Sequence, residues 1–161
     1  MMGLKNRAFP NLLRAVLSVA CIFVCGDVAA ARDVALVTSK NGPVKTMKAA
    51  DLAKMIKTTH KWGGGHDLAL VLTDPSSPEM RIVAEKLLSM TADEFKKSID
   101  AANNTRVTFW VVSSDDDVLK MLQSNPAAIG LVDVYSINSS VNVVKIDDKL
   151  PLEPGYILHS Q

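Results

Sequence analysis

The apolar residues of this chain fall into short runs with two alternating spacings. Runs rich in β-branched and other apolar residues predict buried strands at 33–38, 67–73, 107–112, 128–132 and 141–146. Between these runs, apolar residues recur three and four positions apart, which predicts helices beginning near Thr46, Ser76, Thr91 and Ser114. Because strands and helices alternate, we predict a three-layer α/β/α single domain with a mixed or mostly parallel sheet.

Two of the predicted helices begin with a capping-box pattern. In such a box a hydroxyl residue and an acidic residue three positions later each satisfy a backbone N–H of the other. Ser76 with Glu79 and Thr91 with Glu94 have this spacing. We therefore predict that Ser76 caps the second helix and Thr91 the third.

The first 31 residues have the pattern of a secretory signal. Lys5, Arg7 and Arg14 give a cationic start, an apolar core follows at 15–24, and small residues follow at 28–31. The core has about ten residues, whereas a helix needs about twenty apolar residues to span a bilayer. We predict a signal peptide at 1–31, export to the periplasm, and no membrane span after cleavage.

Cleavage after Ala30 or Ala31 would remove both cysteines, Cys21 and Cys25, from the mature chain. The mature protein would then have no disulfide and no thiol chemistry. A second interpretation is a lipoprotein, because the residues before Cys21 loosely resemble a lipid-attachment box.

The mature chain divides into a domain and a short tail. We predict an α/β domain at 32–146 and an irregular C-terminal extension at 147–161, which contains Pro151 and Pro154. Without the signal the chain carries 15 basic and 16 acidic residues. This balance gives no sign of a nucleic-acid-binding surface.

Few residues have the spacing of a catalytic or metal site. His60 and His66 flank a glycine turn and are candidate metal ligands, but no cysteine or carboxylate stands at a recognised ligand spacing, so we predict no metal site there. Asp115–Asp117 are candidate ligands of a divalent cation. Three carboxylates in a first helical turn are also favoured by the helix dipole, and we prefer that interpretation. The mature chain has no nucleophile elbow, Cys–His pair or P-loop, so we predict no enzyme and no cofactor, with an exported hydrolase as an alternative.

Four segments, taken in order, resemble the phosphate-type periplasmic solute-binding protein family, the substrate-binding component of phosphate ABC transporters. They are the predicted helix around Leu52–Ile56, Trp62-Gly63-Gly64-Gly65 before a strand, Ser77-Pro78-Glu79-Met80-Arg81 at a helix start, and Asn125-Pro126-Ala127-Ala128-Ile129-Gly130-Leu131-Val132. The resemblance covers roughly residues 33–146. Members of the family usually have two lobes that enclose the ligand, and this chain is long enough for one lobe of a type II periplasmic binding protein.

The resemblance also implies an anion site. In the family, phosphate meets an arginine and a Ser-Gly-Thr segment at a helix N-terminus, where backbone N–H groups favour an anion. Thr73, Ser76, Ser77 and Arg81 are the candidate ligand-binding residues here. The stretch lacks the family's glycine, and Thr73 stands about where the arginine would be. For Ser76 and Ser77, plain helix capping is the role that we favour over ligand binding.

These observations predict an exported module with the fold of a solute-binding protein. One expected function is binding of phosphate or another small anion for ABC transport. The alternative is a ligand-free interaction or scaffold module that acts through a protein partner or a homodimer that rebuilds a cleft.

Overall fold

The structure, a computed structural model, describes residues 32–59, 68–105 and 109–160, with side chains left out at 58, 59 and 105. The predicted signal at 1–31, the glycine turn with Trp62, and the candidate metal ligands His60 and His66 lie outside the described residues. The strands are β1 Val34–Ser39, β2 Thr46–Met47, β3 Ala69–Leu72, β4 Phe109–Val111, β5 Ala128–Asp133, β6 Val141–Val143 and β7 Lys145–Ile146.

Within the described ranges, four α-helices connect these strands. They are α1 Ala49–Lys54, α2 Pro78–Ile82, α3 Ala92–Thr105 and α4 Asp115–Ser124. The helical chain continues after α1 as a π-helical segment, Met55–Thr59, and after α2 as a second one, Val83–Leu88. A 3₁₀ turn, Val134–Ser136, follows β5.

The main sheet is mixed, as predicted. Its five strands have the order β4-β3-β5-β1-β6. The three strands β4, β3 and β5 are parallel, whereas β1 is antiparallel to both β5 and β6. A parallel pair, β2 and β7, forms a separate small sheet. The carboxyl ends of β4, β3 and β5 therefore meet at one edge of the domain.

Both faces of the main sheet are covered, which confirms the three-layer prediction. Along β1, Val34 and Leu36 point into the larger core, which packs against α1, α2, α3 and the two π-helical segments. Ala35 and Val37 point to the opposite face, where α4 covers them. This alternation follows from the two-residue period of a strand. A strand buried on both faces typically shows a continuous apolar run. In β1 this run is Val34–Val37, and the polar residues Thr38 and Ser39 that follow it are buried as well.

Two predicted boundaries are wrong. The helix expected from Thr46 begins only at Ala49, because Thr46 and Met47 pair with β7 instead. The strand expected at 141–146 is two strands, because the chain changes sheets at Val144. In both places a tertiary pairing, which local spacing does not reveal, overrides the local pattern.

The helix starts test the capping predictions. The Thr91–Glu94 box is confirmed: the Thr91 N–H donates to Glu94 Oε2 at 2.8 Å, and the Glu94 N–H donates to Thr91 Oγ1 at 3.3 Å. The Ser76–Glu79 box is wrong. Ser77 is the N-cap of α2 and accepts the Met80 N–H, because a proline fits the first helical position and Pro78 occupies it.

The C-terminal tail packs onto the domain. Its residues form turns and isolated bridges, but Tyr156 and Leu158 are buried in the larger core. The Tyr156 hydroxyl donates to the Val34 carbonyl at 2.9 Å, and the Val34 N–H donates to the Leu158 carbonyl at 3.0 Å. The tail thus completes the hydrogen bonding at the start of β1.

Candidate functional site

A cleft of about 370 Å³ lies at the carboxyl ends of the three parallel strands. In open α/β sheets this is the usual place for a ligand. Each strand contributes the segment that follows it, so residues far apart in sequence meet. The lining residues are Thr73, Asp74, Ser77, Glu79, Ser113, Ser114, Asp115, Asp116 and Ser136.

One wall is the connection from β3 to α2. Thr73 is buried directly after β3, and its Oγ1 lies 3.3 Å from Ser77 Oγ. Asp74 forms a turn in which its carboxylate accepts the Ser76 N–H at 2.7 Å. Hydrogen bonds from the Ser76 backbone and hydroxyl hold the pKa of Asp74 below its usual value, so this carboxylate is negatively charged at neutral pH.

The opposite wall is the first turn of α4. Ser114 caps this helix by accepting the Asp117 N–H at 3.3 Å. The Asp115 carboxylate accepts the Asp133 N–H at 3.0 Å, which ties the start of α4 to the end of β5. Two helix starts therefore face the cleft, and both have N–H groups without intrahelical partners. On the α4 side, acidic side chains already occupy this favourable position.

The charges around the cleft are mainly negative. Four carboxylates line it, those of Asp74, Glu79, Asp115 and Asp116. The Arg32 guanidinium forms an ion pair with Glu79 and so compensates one of these negative charges. Asp74, Asp115 and Asp116 form no ion pair with a cation among the described residues, although the Lys96 charge attracts the Asp74 carboxylate from a greater distance.

The four predicted site residues separate into two pairs. Thr73 and Ser77 line the cleft together. Ser76 and Arg81 are exposed outside the lining, and Arg81 Nε donates to the Ser76 carbonyl at 3.3 Å. The guanidinium therefore lies beside the start of α2 but is not among the groups that face the cavity.

Sequence reasoning singled out Asp115 and Asp116 as candidate cation ligands, but it did not bring the residues that follow β4 and β5 together with Thr73 and Ser77. Ser113–Asp116 follow β4, Ser136 follows β5, and Arg32 reaches the cleft from the start of β1. Polar residues also follow two further predicted strands, a pattern that could have pointed to the cleft. It does so only if those strands are assumed to be parallel neighbours of β3.

Two further observations limit the chemistry. Within the described ranges, no three His, Cys, Asp or Glu side chains converge in a way that could hold a metal ion, so Asp115–Asp117 do not form such a site there. The carboxylate of Asp117 instead accepts the Ser114 hydroxyl at 2.9 Å. No helix in the described part of the chain is both long and apolar enough to cross a membrane.

Comparison with solved structures identifies the fold. The chain is similar to an ABC-type phosphate transport receptor from Vibrio cholerae, with a TM-score of 0.61, 18% identity, and coverage of 81% of this chain and 54% of that one. It is similar to PstS from Borrelia burgdorferi, with a TM-score of 0.63, 18% identity, and coverage of 81% and 55%.

A third similar structure, from Clostridium perfringens, is described as a phosphate ABC transporter substrate-binding protein with bound phosphate. Its TM-score is 0.58 at 23% identity, with coverage of 73% of this chain and 46% of that one. The chain thus spans about half the length of these receptors. No protein-family model matches the sequence, and no curated protein matches it. The predicted resemblance is confirmed at the level of the fold, which is that of part of a type II periplasmic binding protein.

Proposed function

We propose that this chain is an exported, periplasmic module with the fold of a solute-binding protein, and that its cleft is one wall of a binding site. A second protein would close the open side of the cleft and supply the positive charge that balances its remaining carboxylates. The structures that resemble it are transport receptors rather than enzymes, which supports a role in binding and not in catalysis.

The observation that carries this proposal is the charge of the cleft. Four carboxylates line it and Arg32 neutralises one of them. A phosphate ion near neutral pH is itself negative, and at about 4 Å each like charge costs on the order of 1 kcal/mol even in water-like surroundings. An isolated chain with this lining is therefore a poor receptor for free phosphate. A basic protein surface would be attracted by the same field.

The charge also argues against a homodimer through the cleft. Two copies that met at this face would place Asp74, Asp115 and Asp116 of one copy opposite the same residues of the other. Like charges across an interface disfavour association. We therefore expect the mature chain to be monomeric by sedimentation at moderate salt and neutral pH.

A titration with a basic probe tests the proposal. A soluble oligolysine peptide should bind the mature chain, with an affinity that falls as salt increases. Asp74→Asn and Asp116→Asn, which remove one charge each from the lining, should weaken this binding severalfold. Asp93→Asn is the matched control, because Asp93 is exposed at the start of α3, outside the lining. Equal weakening by the control would contradict a specific role for the cleft.

A small-anion receptor is the second candidate. The specific observation in its favour is that a protein of this fold was solved with bound phosphate. Thr73, Ser76, Ser77 and Arg81 would then bind the anion. Saturable stabilisation of the isolated chain by millimolar phosphate but not sulfate, lost in Ser77→Ala and Arg81→Ala, would establish this candidate and refute the first. We expect no change in melting temperature with phosphate.

A further inference from the structure

The cleft already holds one cation, and it comes from the chain itself. The Arg32 guanidinium forms an ion pair with Glu79, a residue of the cleft lining. The two side chains differ in exposure: that of Glu79 is 12% exposed, whereas that of Arg32 is 48% exposed. A nearly buried carboxylate is destabilised when it has no partner, whereas a half-exposed guanidinium can exchange its partner for water. Glu79 therefore requires a cation, and Arg32 can leave it at little cost.

Only the side chain of Arg32 has to move for this pair to open. The Ser160 N–H donates to the Arg32 carbonyl at 3.2 Å, and the Arg32 N–H donates to Ser160 Oγ. The next residue, Asp33, is buried, and its carboxylate contacts His159 Nδ1. The C-terminal tail thus fixes the Arg32 backbone beside the cleft, so the guanidinium stays close to Glu79 even when the pair is open. Arg32 is therefore a tethered competitor for any other cation at Glu79.

The resting partner of Glu79 indicates which cation a second protein would offer. A guanidinium is planar and has five N–H donors, so it can bind a carboxylate and neighbouring acceptors at the same time, whereas a lysine ammonium is a compact point charge. Such acceptors lie in the same cleft lining, namely the Asp74 carboxylate and the hydroxyls of Thr73 and Ser77. An arginine therefore matches this wall better than a lysine does.

We propose that Glu79 is the point at which the cleft binds an arginine side chain of a protein partner, and that Arg32 occupies this point in the free chain as an autoinhibitory contact. The partner's arginine displaces Arg32, whose side chain then turns into solvent. This proposal rests on the function proposed above, because it names the cation that the second protein brings and the residue that controls its access.

The strength of the internal pair sets the size of the effect. Surface ion pairs favour the closed state over the open one by a factor of roughly 1.4 to 5. The affinity for a competing cation is reduced in proportion to the fraction of molecules in which Glu79 is open. Removing the Arg32 guanidinium should therefore raise the affinity for an arginine-rich probe about two- to sixfold.

A calorimetric titration with hexaarginine tests the competition. Arg32→Gln should bind this peptide about two- to sixfold more tightly than the unsubstituted chain. Lys120→Gln is the matched control, because Lys120 pairs with Asp117 outside the cleft lining and its loss changes the net charge equally. Glu79→Gln should weaken binding, and in this background Arg32→Gln should add no more than Lys120→Gln does. Hexalysine should bind more weakly than hexaarginine, and Glu79→Gln should narrow the difference.

A second measurement follows the Arg32 side chain itself. The mature chain has three arginines, so the Arg32 Nε signal can be assigned in a ¹⁵N-arginine spectrum by its loss in Arg32→Gln. Unlabelled hexaarginine should shift this signal toward the position it has in Glu79→Gln, where the ion pair is absent. Arg81 is the internal control and its signal should not move, because its Nε donates to the Ser76 carbonyl outside the cleft lining.

Three results would overturn this proposal and leave the acidic cleft as a binding surface, provided that Asp74→Asn still weakens binding of the peptide. They are an Arg32→Gln affinity no higher than that of Lys120→Gln, an unchanged affinity in Glu79→Gln, and an Arg32 signal that stays in place at saturating peptide. Equal affinity for hexaarginine and hexalysine would overturn the choice of arginine. If neither peptide bound, the function proposed above would fail, and this proposal with it.

Discussion

Gly130 controls how closely α4 approaches the sheet, and replacing it with alanine should destabilise the protein measurably. Gly130 lies in the middle of β5, between β1 and β3. A Cβ at this position would lie 2.5 Å from Val118 Cγ1 and 3.1 Å from Leu122 Cδ1. Both α4 side chains are fully buried, so neither can move into solvent.

The expected size of the effect follows from two opposing terms. Overpacking of a core by one methyl group typically costs about 1–3 kcal/mol. Replacing glycine reduces the entropy of the unfolded chain and recovers about 0.4–1 kcal/mol. Gly130→Ala should therefore lower the free energy of unfolding by about 1–2 kcal/mol, or the melting temperature by roughly 3–10 °C for a domain of this size.

Urea unfolding followed by tryptophan fluorescence would measure this change, with a shifted midpoint at an unchanged m-value. Val118→Ala provides the control, since it removes the methyl group that the new Cβ would meet. In that background Gly130→Ala should cost at least about 0.5 kcal/mol less than in the unsubstituted chain. A neutral Gly130→Ala, or the same cost in both backgrounds, would refute the close contact between α4 and β5.

Three further predictions concern single hydrogen bonds. Ser77→Ala should cost about 1 kcal/mol in urea unfolding through the lost helix cap, whereas Ser76→Ala should stay within about 0.5 kcal/mol; a larger effect at Ser76 would contradict this assignment. Burial raises the pKa of Tyr156. As the pH rises, the unfolded chain therefore loses that phenolic proton first, and the free energy of unfolding should fall above about pH 10. Tyr156→Phe should reduce this pH-dependent fall, and at neutral pH it should cost about 1 kcal/mol of stability. Asp115→Ala should cost about 1–2 kcal/mol in denaturant unfolding, because the partly buried Asp133 N–H loses its acceptor; an unchanged midpoint would refute this.

Local patterns predicted the elements that depend on neighbouring residues. The Thr91–Glu94 box forms as predicted, and the helix predicted near Ser114 begins there with Ser114 as its cap, since a cap requires only residues within one helical turn. The start of α2 was predicted one residue early. Ser76 and Ser77 both precede Pro78, and only the position of the proline in the first turn decides which serine is the cap.

Long-range pairing could not be predicted in the same way. Nothing local to β1 indicates that it runs antiparallel to β5, or that β2 pairs with β7 about a hundred residues later. The lining of the cleft also depends on long-range strand pairing. Thr73 and Ser77 were candidates because the family resemblance implies an anion site at this one helix start, but Asp116 reaches them only through the pairing of β3 with β4.

Arg32 and Ser160, the first and last residues that the structure describes, lie side by side. The Ser160 N–H donates to the Arg32 carbonyl at 3.2 Å, and Arg32 also contacts Glu79 on the cleft wall. A unit whose entry and exit lie together can be spliced into a host polypeptide without disturbing the host, in the way that inserted domains are. Fused in this way, the unit would carry its cleft next to the point of attachment, so that a neighbouring domain would meet the cleft across a short connection.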